Sequence, residues 1–359
     1  VFSSYYGKQY SDNPRAISEE LHKTNPHIEI VWFMNDAKKH MQLMPDYIKV
    51  VENESFISAY HLYTAKVWVD NCRKLIFYKK KRKQFYIQTW HGTPLKLIEA
   101  DAEDKLEKRY VKYANRDSKN IDLLISGNEY SSKIFRRAFK YDGEILGCGT
   151  PRNDKLINQY EKIEDNVRNK VGVVDASLIL YAPTYRSELL KNGKPQLDFL
   201  QPNMILNAFE KRFNKKCILL TRFHPNVSGM LDYERLSSEY GGRIIDVSVG
   251  WDMQELLCAS DALITDYSSV FFDYANLLRP IFLFIPDEKG YYEERGLYFD
   301  ITHLPIKAFS SSEMLVKSIL NESSEDLINR SIKLLELIGN EEEGKASLKI
   351  ANYIIKNTN

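Results

Sequence analysis

Residues 262–285 read ALITDYSSVFFDYANLLRPIFLFI, and this stretch decides the fold. Ala262 to Thr265 is a short apolar run that Asp266, Tyr267, Ser268 and Ser269 end with polar, turn-forming residues. Ser268 to Leu278 then reads as a helix, Pro280 stops it, and Ile281 to Ile285 forms a second apolar run. Short runs without polar alternation suit strands covered on both faces. A strand, a helix and another strand in that order make the unit of a parallel α/β sheet.

The same alternation extends outward in both directions. Strands are predicted at Ile28 to Met34, Phe85 to Thr89, Ile121 to Ser126 and Glu144 to Gly147. The second half continues with Ser177 to Ala182, Lys216 to Thr221 and Arg243 to Val247. Helices are predicted at Arg15 to Lys23, opened by Asn13 as cap and Pro14 in the first turn, and at Ser55 to Lys66, Glu103 to Arg116 and Asn203 to Phe213. At roughly 150 residues per domain, 359 residues predict two doubly wound domains. The seam is expected in the polar stretch Asn153 to Val171, giving domains at 1–160 and 161–340. A last helix at 341–359 is expected to pack back on the first domain.

Composition narrows the classes further. Fifty Lys and Arg against 49 Asp and Glu leave a net charge of +1, with 43% hydrophobic residues. That balance excludes a disordered chain and offers no charge excess for nucleic acid. No apolar run approaches the roughly 18 residues of a transmembrane helix. Cys72, Cys148, Cys217 and Cys258 have no zinc or redox spacing, and the latter two read as buried thiols. No secretory signal opens the chain, and its start at Val1-Phe2 without Met reads as a piece of something longer.

In open parallel sheets, ligands bind beyond the carboxyl ends of strands. Four predicted strand-end loops carry more chemistry than a connection needs. Gln88-Thr89-Trp90-His91-Gly92-Thr93-Pro94-Leu95-Lys96 puts an imidazole on a tight turn, where it can take a proton at neutral pH. Arg222-Phe223-His224-Pro225 offers two cationic donors to one anionic group, the plain alternative being a local ion pair and a surface histidine. Asp266-Tyr267-Ser268-Ser269 precedes a helix and could hold phosphate on backbone N–H groups, provided Asp266 turns away to cap the helix or bond a sugar hydroxyl. Asp246-Val247-Ser248, with Asp252 as a helix cap, could hold a nucleoside or serve only as structure.

The absences point the same way. The sequence has no P-loop, no complete dinucleotide fingerprint, no Asp-x-Asp metal clamp, no paired histidines at helical metal spacing and no Gly-x-Ser-x-Gly elbow. What remains fits transfer of a phosphorylated group between two domains without a metal as the main electrophile.

Taken together, Tyr6-Gly7-Lys8-Gln9-Tyr10-Ser11-Asp12-Asn13-Pro14, the His91 loop, Arg222-Phe223-His224-Pro225 and Thr265-Asp266-Tyr267-Ser268-Ser269-Val270-Phe271-Phe272-Asp273-Tyr274 follow one another in a familiar order. The sequence resembles the CDP-glycerol glycerophosphotransferases of teichoic acid synthesis, the TagB and TagF type, over nearly its whole length. The resemblance implies a GT-B fold, two facing Rossmann-like domains with the active site in the interdomain cleft. The first domain would take the acceptor and the second CDP-glycerol. It implies transfer of glycerol phosphate from CDP-glycerol to a hydroxyl of a lipid-linked glycan or poly(glycerol phosphate) acceptor, with release of CMP. His91 would be the base and His224 would steady the donor pyrophosphate. Arg222, Ser248, Asp252, Asp266, Ser268, Ser269, Gly92 and Thr93 would bind substrate. No cofactor is implied, CDP-glycerol being substrate, and a divalent-cation requirement stays open. CDP-ribitol or a sugar nucleotide is the alternative donor.

A peripheral place on an anionic membrane surface, at the cytoplasmic face of the bacterial membrane, is also implied. The run Lys79-Lys80-Lys81-Arg82-Lys83 fits it, as do Lys105, Lys108, Arg109, Lys112, Arg116 and Lys119, expected on one helical stretch with Tyr110, Val111 and Tyr113 as an apolar edge.

Overall fold

A computed structural model describes residues 1–74, 79–184, 196–223, 233–286 and 296–358. It divides into two compact α/β units, Val1–Asp154 with Ile338–Asn359, and Lys155–Leu337. The first holds β1 (Phe2–Ser3), β2 (Ile30–Met34), β3 (Ile48–Glu52), β4 (Val67–Asp70), β5 (Phe85–Gln88), β6 (Leu123–Ser126) and β7 (Glu144–Gly147). They form one sheet in the order β3-β2-β1-β4-β5-β6-β7, and every pairing is parallel.

The second unit holds β8 (Ser177–Ala182), β9 (Cys217–Thr221), β10 (Ile244–Asp246), β11 (Ala262–Thr265), β12 (Ile281–Phe284) and β13 (Ala308–Phe309), in the order β10-β9-β8-β11-β12-β13 and again all parallel. Both are Rossmann-like sheets. In each, the chain winds outward from a central strand and then returns across it, so connections leave β1 and β4, and likewise β8 and β11, in opposite directions. That reversal opens a crevice at the carboxyl ends of the two strands.

The predicted strands lie within two residues of where they were read. Four more are present: β1, β3, β4 and β13. β1 and β13 have two residues each, too few for a pattern, and β3 at the sheet edge has two of its five residues exposed. The first helix runs Asp12–Thr24 with Ser11 in the cap position, so Asn13 is not the cap but lies inside it. The stretch expected as one helix over Glu103 to Arg116 is a tight 3-10 turn, Glu99–Lys105, followed by a helix over Lys108–Ser118. The helix expected over Ser268 to Leu278 spans only Val270–Ala275. All four cysteines are buried and free.

Around the first sheet, Ile17 and Leu21 pack with Trp32, Ile87 and Leu123 in a core completed by Ile350, Ala351 and Ile354 of the helix Ala346–Thr358. The start of that helix is tied to the 151–154 segment. Asp154 Oδ1 and Oδ2 accept the backbone N–H groups of Ala346 and Ser347 at 2.9 and 2.8 Å, and Ser347 Oγ donates to the Pro151 carbonyl at 3.2 Å. A carboxylate on two unpaired N–H groups at a helix start satisfies both and suits the positive end of the helix dipole.

Candidate active site

The crevice of the first unit is built by the turns after β1, β4 and β5. β5 ends at Gln88, whose Oε1 accepts the Trp90 N–H at 2.9 Å while its Nε2 donates to the Cys72 carbonyl at 2.8 Å. This holds Trp90 in the left-handed region, φ 51°, followed by Gly92 at φ 143°, where only glycine sits without strain. The resulting turn lays the His91 ring against Trp90, with ring centroids 4.1 Å apart, and 5.7 Å from Tyr5.

His91 Nδ1 lies 2.8 Å from the carbonyl oxygen of Asn71, directly after β4. A carbonyl can only accept, so Nδ1 carries the proton and Nε2 keeps its lone pair. Nε2 has no hydrogen bond among the described residues. Burial lowers the ring's pKa below its ordinary 6.5. The Asn71 carbonyl and Asp12 act against that shift, and Arg152 adds to it. An uncharged imidazole with a fixed tautomer and an open nitrogen is equipped to take a proton. Asn71 is also the hinge of the crevice, since its Oδ1 accepts the Tyr5 N–H at 2.8 Å and its Nδ2 donates to Ser4 Oγ at 3.1 Å. Thr93 Oγ1 accepts from Asn128 Nδ2 at 2.9 Å, which ties the far side of the turn to β6.

Behind the crevice lies a buried ion cluster. Arg73 Nη2 is 2.8 Å from Glu99 Oε2, and its Nη1 is 3.4 Å from Asp117 Oδ2; all three side chains are no more than 5% exposed. Tyr110 donates its hydroxyl to Glu99 at 2.6 Å, and the Arg73 guanidinium stacks 4.0 Å over Phe139. Burial raises the pKa of Asp117 to about 6 despite Arg73. Two carboxylates share one guanidinium, and the one farther from it pays the desolvation.

In the second unit, Asp266 follows β11 and faces the turn after β8. Its Oδ1 accepts the Thr184 N–H at 2.8 Å and its Oδ2 the Thr184 hydroxyl at 3.0 Å, so the carboxylate spans the crevice mouth and leaves the following helix uncapped. Arg222 Nη1 donates to the carbonyls of Val247 and Trp251 at 2.9 and 3.1 Å. Ser248 Oγ accepts the Phe223 N–H at 2.9 Å and donates to Asp246. These two residues therefore brace each other's loops. Asp252 accepts the Glu255 N–H at 3.2 Å as the cap of the helix Met253–Ala259. Ser268 Oγ sits 3.5 Å from the Val270 N–H, and Ser269 occupies the cap position of the six-residue helix without a side-chain bond to it. His224 lies outside the described residues.

Sequence reading misses Asn71, Arg152 and Thr184, and names Asp12 and Asn13 as members of the Tyr6–Pro14 run, with no role at the site. Asn71 follows a strand, VWVD, that was not read as one. Asn13, predicted as a helix cap, lies inside the helix instead. Nothing local marks Arg152 or Thr184.

A family model described as CDP-Glycerol:Poly(glycerophosphate) glycerophosphotransferase matches residues 1–356. The teichoic acid poly(glycerol phosphate) polymerase of Bacillus subtilis is 33% identical over 374 residues, covering 99% of this chain and 48% of the relative. That of Staphylococcus epidermidis is 37% identical over 334 residues, covering 89% of this chain and 45% of the relative. The chain thus spans about half the length of these curated relatives. Among solved structures, a histidine-to-alanine variant of the wall teichoic acid polymerase TagF matches with a TM-score of 0.89 at 33% identity, covering 100% of this chain and 88% of that one. A histidine-to-asparagine variant of the same polymerase with CDPG matches at 0.88 and 34%, with the same coverage.

Proposed function

The chain belongs to the CDP-glycerol:poly(glycerophosphate) glycerophosphotransferase family, and from that premise we propose that it transfers glycerol phosphate from CDP-glycerol to a hydroxyl of a lipid-linked acceptor. The acceptor oxygen attacks the phosphorus that bears glycerol, and its proton passes to His91 Nε2. The bond from that phosphorus to the bridging oxygen breaks, and CMP leaves with the oxygen. Little covalent chemistry falls to the protein in such a transfer, which needs mainly positioning and charge neutralisation. His224, Arg222 and the Ser268-Ser269 turn hold the donor's diphosphate in this reading, with Asp266, Ser248 and Asp252 shaping their loops. No resident cofactor enters, CDP-glycerol being consumed.

The observation that carries the reading is the 2.8 Å bond from His91 Nδ1–H to the Asn71 carbonyl, which leaves Nε2 as the acceptor of a proton. Incubation with CDP-glycerol and a lipid-linked disaccharide tests it. CMP should appear one-for-one with glycerol phosphate in the lipid product, whose length separates a primase from a polymerase. Turnover of CDP-ribitol or a sugar nucleotide, with CDP-glycerol inert, would overturn the donor assignment.

We also propose that the first unit meets an anionic membrane surface. Lys79, Lys81, Arg82 and Lys83 are exposed, as are Lys105, Lys108, Arg109, Lys112, Arg116 and Lys119, although Lys80 turns in to Asp122 at 2.8 Å. Tyr110 is turned to Glu99 and takes no part in an apolar edge. A different apolar face supports the reading: the helix Phe56–Thr64 exposes Phe56 (98%), Ile57 (61%) and Tyr60 (64%), and Lys81 Nζ lies 5.7 Å from the Tyr63 ring on the same helix. Apolar side chains beside lysines suit a headgroup boundary, at about 1 kcal/mol per basic residue. Among the described residues, no helix is long and apolar enough to cross a membrane. Flotation with anionic vesicles should carry the protein at low salt, less at high salt, and less again for Phe56→Asp; protein left in solution at low salt would refute the surface.

A further inference from the structure

The Tyr6–Pro14 motif has no part in the chemistry above, yet it reaches the His91 turn directly. Asn13 Nδ2 donates to the Trp90 carbonyl at 3.1 Å and lies 3.4 Å from that of Thr89. Arg152 Nη1 donates to the next carbonyl, that of His91, at 2.9 Å, and to Asp12 Oδ2 at 3.0 Å. Arg152 N–H closes the circuit onto Asn13 Oδ1 at 3.1 Å. Asp12 also accepts the Tyr5 hydroxyl, so the same carboxylate steadies the ring on the other side of His91. Asp12 and Arg152 are each 7% exposed. Asp12 itself, like Trp90, holds a left-handed backbone (φ 65°), a conformation that persists only where surrounding bonds over-determine it.

Three successive carbonyls are therefore held by side chains that belong to neither β5 nor its turn. We infer that Asp12, Asn13 and Arg152 are positioning residues that hold the His91 turn so that its Nδ1–H meets the Asn71 carbonyl and Nε2 faces the acceptor hydroxyl. The inference rests on the reading of His91 as the base. Without the clamp, the strained Trp90 relaxes, the ring swings off Asn71, and the tautomer is no longer fixed. The segment bearing Arg152 is in turn anchored by Asp154 and Pro151 to the helix Ala346–Thr358, so the end of the chain braces the turn at one remove.

The charged and titratable groups around His91 are Tyr5 after β1, Asp12 on the first helix, Arg152 on the 151–153 turn and Glu99 on the 3-10 turn. Of these, Asp12 holds the imidazolium and Arg152 opposes it. Removing each should therefore move the acid limb of the kcat/KM profile in opposite directions. Arg152→Gln shifts it to higher pH and Asp12→Asn to lower pH, which a general loss of packing would not do.

The test is steady-state kinetics on the full chain, with 15N spectra of labelled histidine. Arg152→Gln should lower kcat about 10²-fold with the KM for CDP-glycerol unchanged, as expected when a reacting group is misplaced by about 1 Å. The His91 signal should pass from the Nδ1–H tautomer to a mixture. Arg152→Lys, which keeps the charge but not the planar guanidinium whose Nη1 makes both bonds, should restore the acid limb but only part of kcat. If Arg152→Gln fails to fold, Asn13→Ala, which removes bonds to the turn without breaking the ion pair, should show the same tautomer change and loss of kcat. Wild-type tautomer with kcat within about twofold in these variants would overturn the inference. If His91→Ala is inactive while they are unaffected, this inference alone fails. If His91→Ala is active, the base reading fails with it.

Discussion

Replacing His91 with alanine is expected to reduce turnover by about 10²–10⁴-fold, the range for a positioned general base, and to leave CDP-glycerol affinity nearly intact. The asymmetry follows from where the ring is held. Nδ1 is engaged with Asn71 and the ring face with Trp90, so only Nε2 is left to react. The base works uncharged, and burial lowers its pKa below 6.5. Wild-type kcat/KM should therefore rise with pH through that lowered pKa and be level at neutral pH, the loss at acid being protonation of Nε2. Rate assays from acid to neutral pH, with calorimetry for donor binding, check both parts. Near wild-type turnover in the alanine variant would remove His91 from the reaction.

The second large effect is on stability. Arg73→Met should cost about 3–5 kcal/mol, because it leaves Glu99 and Asp117 as buried carboxylates with no cation between them. Asp117→Asn should behave differently. Folding raises the Asp117 pKa from 3.8 to about 6, so the folded state binds a proton more tightly than the unfolded chain. Its contribution is full below the unfolded value and is lost as pH rises from about 4 to about 6. At pH 7 to 8 the asparagine should therefore be neutral or stabilising, and it should flatten the pH dependence of stability between about pH 4 and pH 6. Urea unfolding of the two variants at pH 5 and pH 7.5 separates the outcomes; equal losses at both pH values would show that Asp117 carries no surplus charge.

Much of the fold was legible because its signal is local. Strands buried on both faces are near-continuous apolar runs, and the bounds predicted for Ser177–Ala182 and Ala262–Thr265, buried at every position, match the structure for that reason. β1 and β13 were invisible because a two-residue strand is defined by its neighbours. The long helix expected over Glu103 to Arg116 is broken at Leu106 and Glu107, whose extended backbone separates the tight 3-10 turn Glu99–Lys105 from the helix Lys108–Ser118.

The candidate site divides along the same line. That His91 stands on a tight turn after a strand, and that Asp266 and two serines follow another, came from the order of residues alone. Which ring nitrogen holds the proton, which way Asp266 points and what holds Trp90 came only from the folded chain. The partners concerned lie 20 to 140 positions away, from Asn71 to His91 and from Asp12 to Arg152. Several of the deciding contacts are to backbone carbonyls, which every residue carries alike, so no residue type or spacing could have announced them.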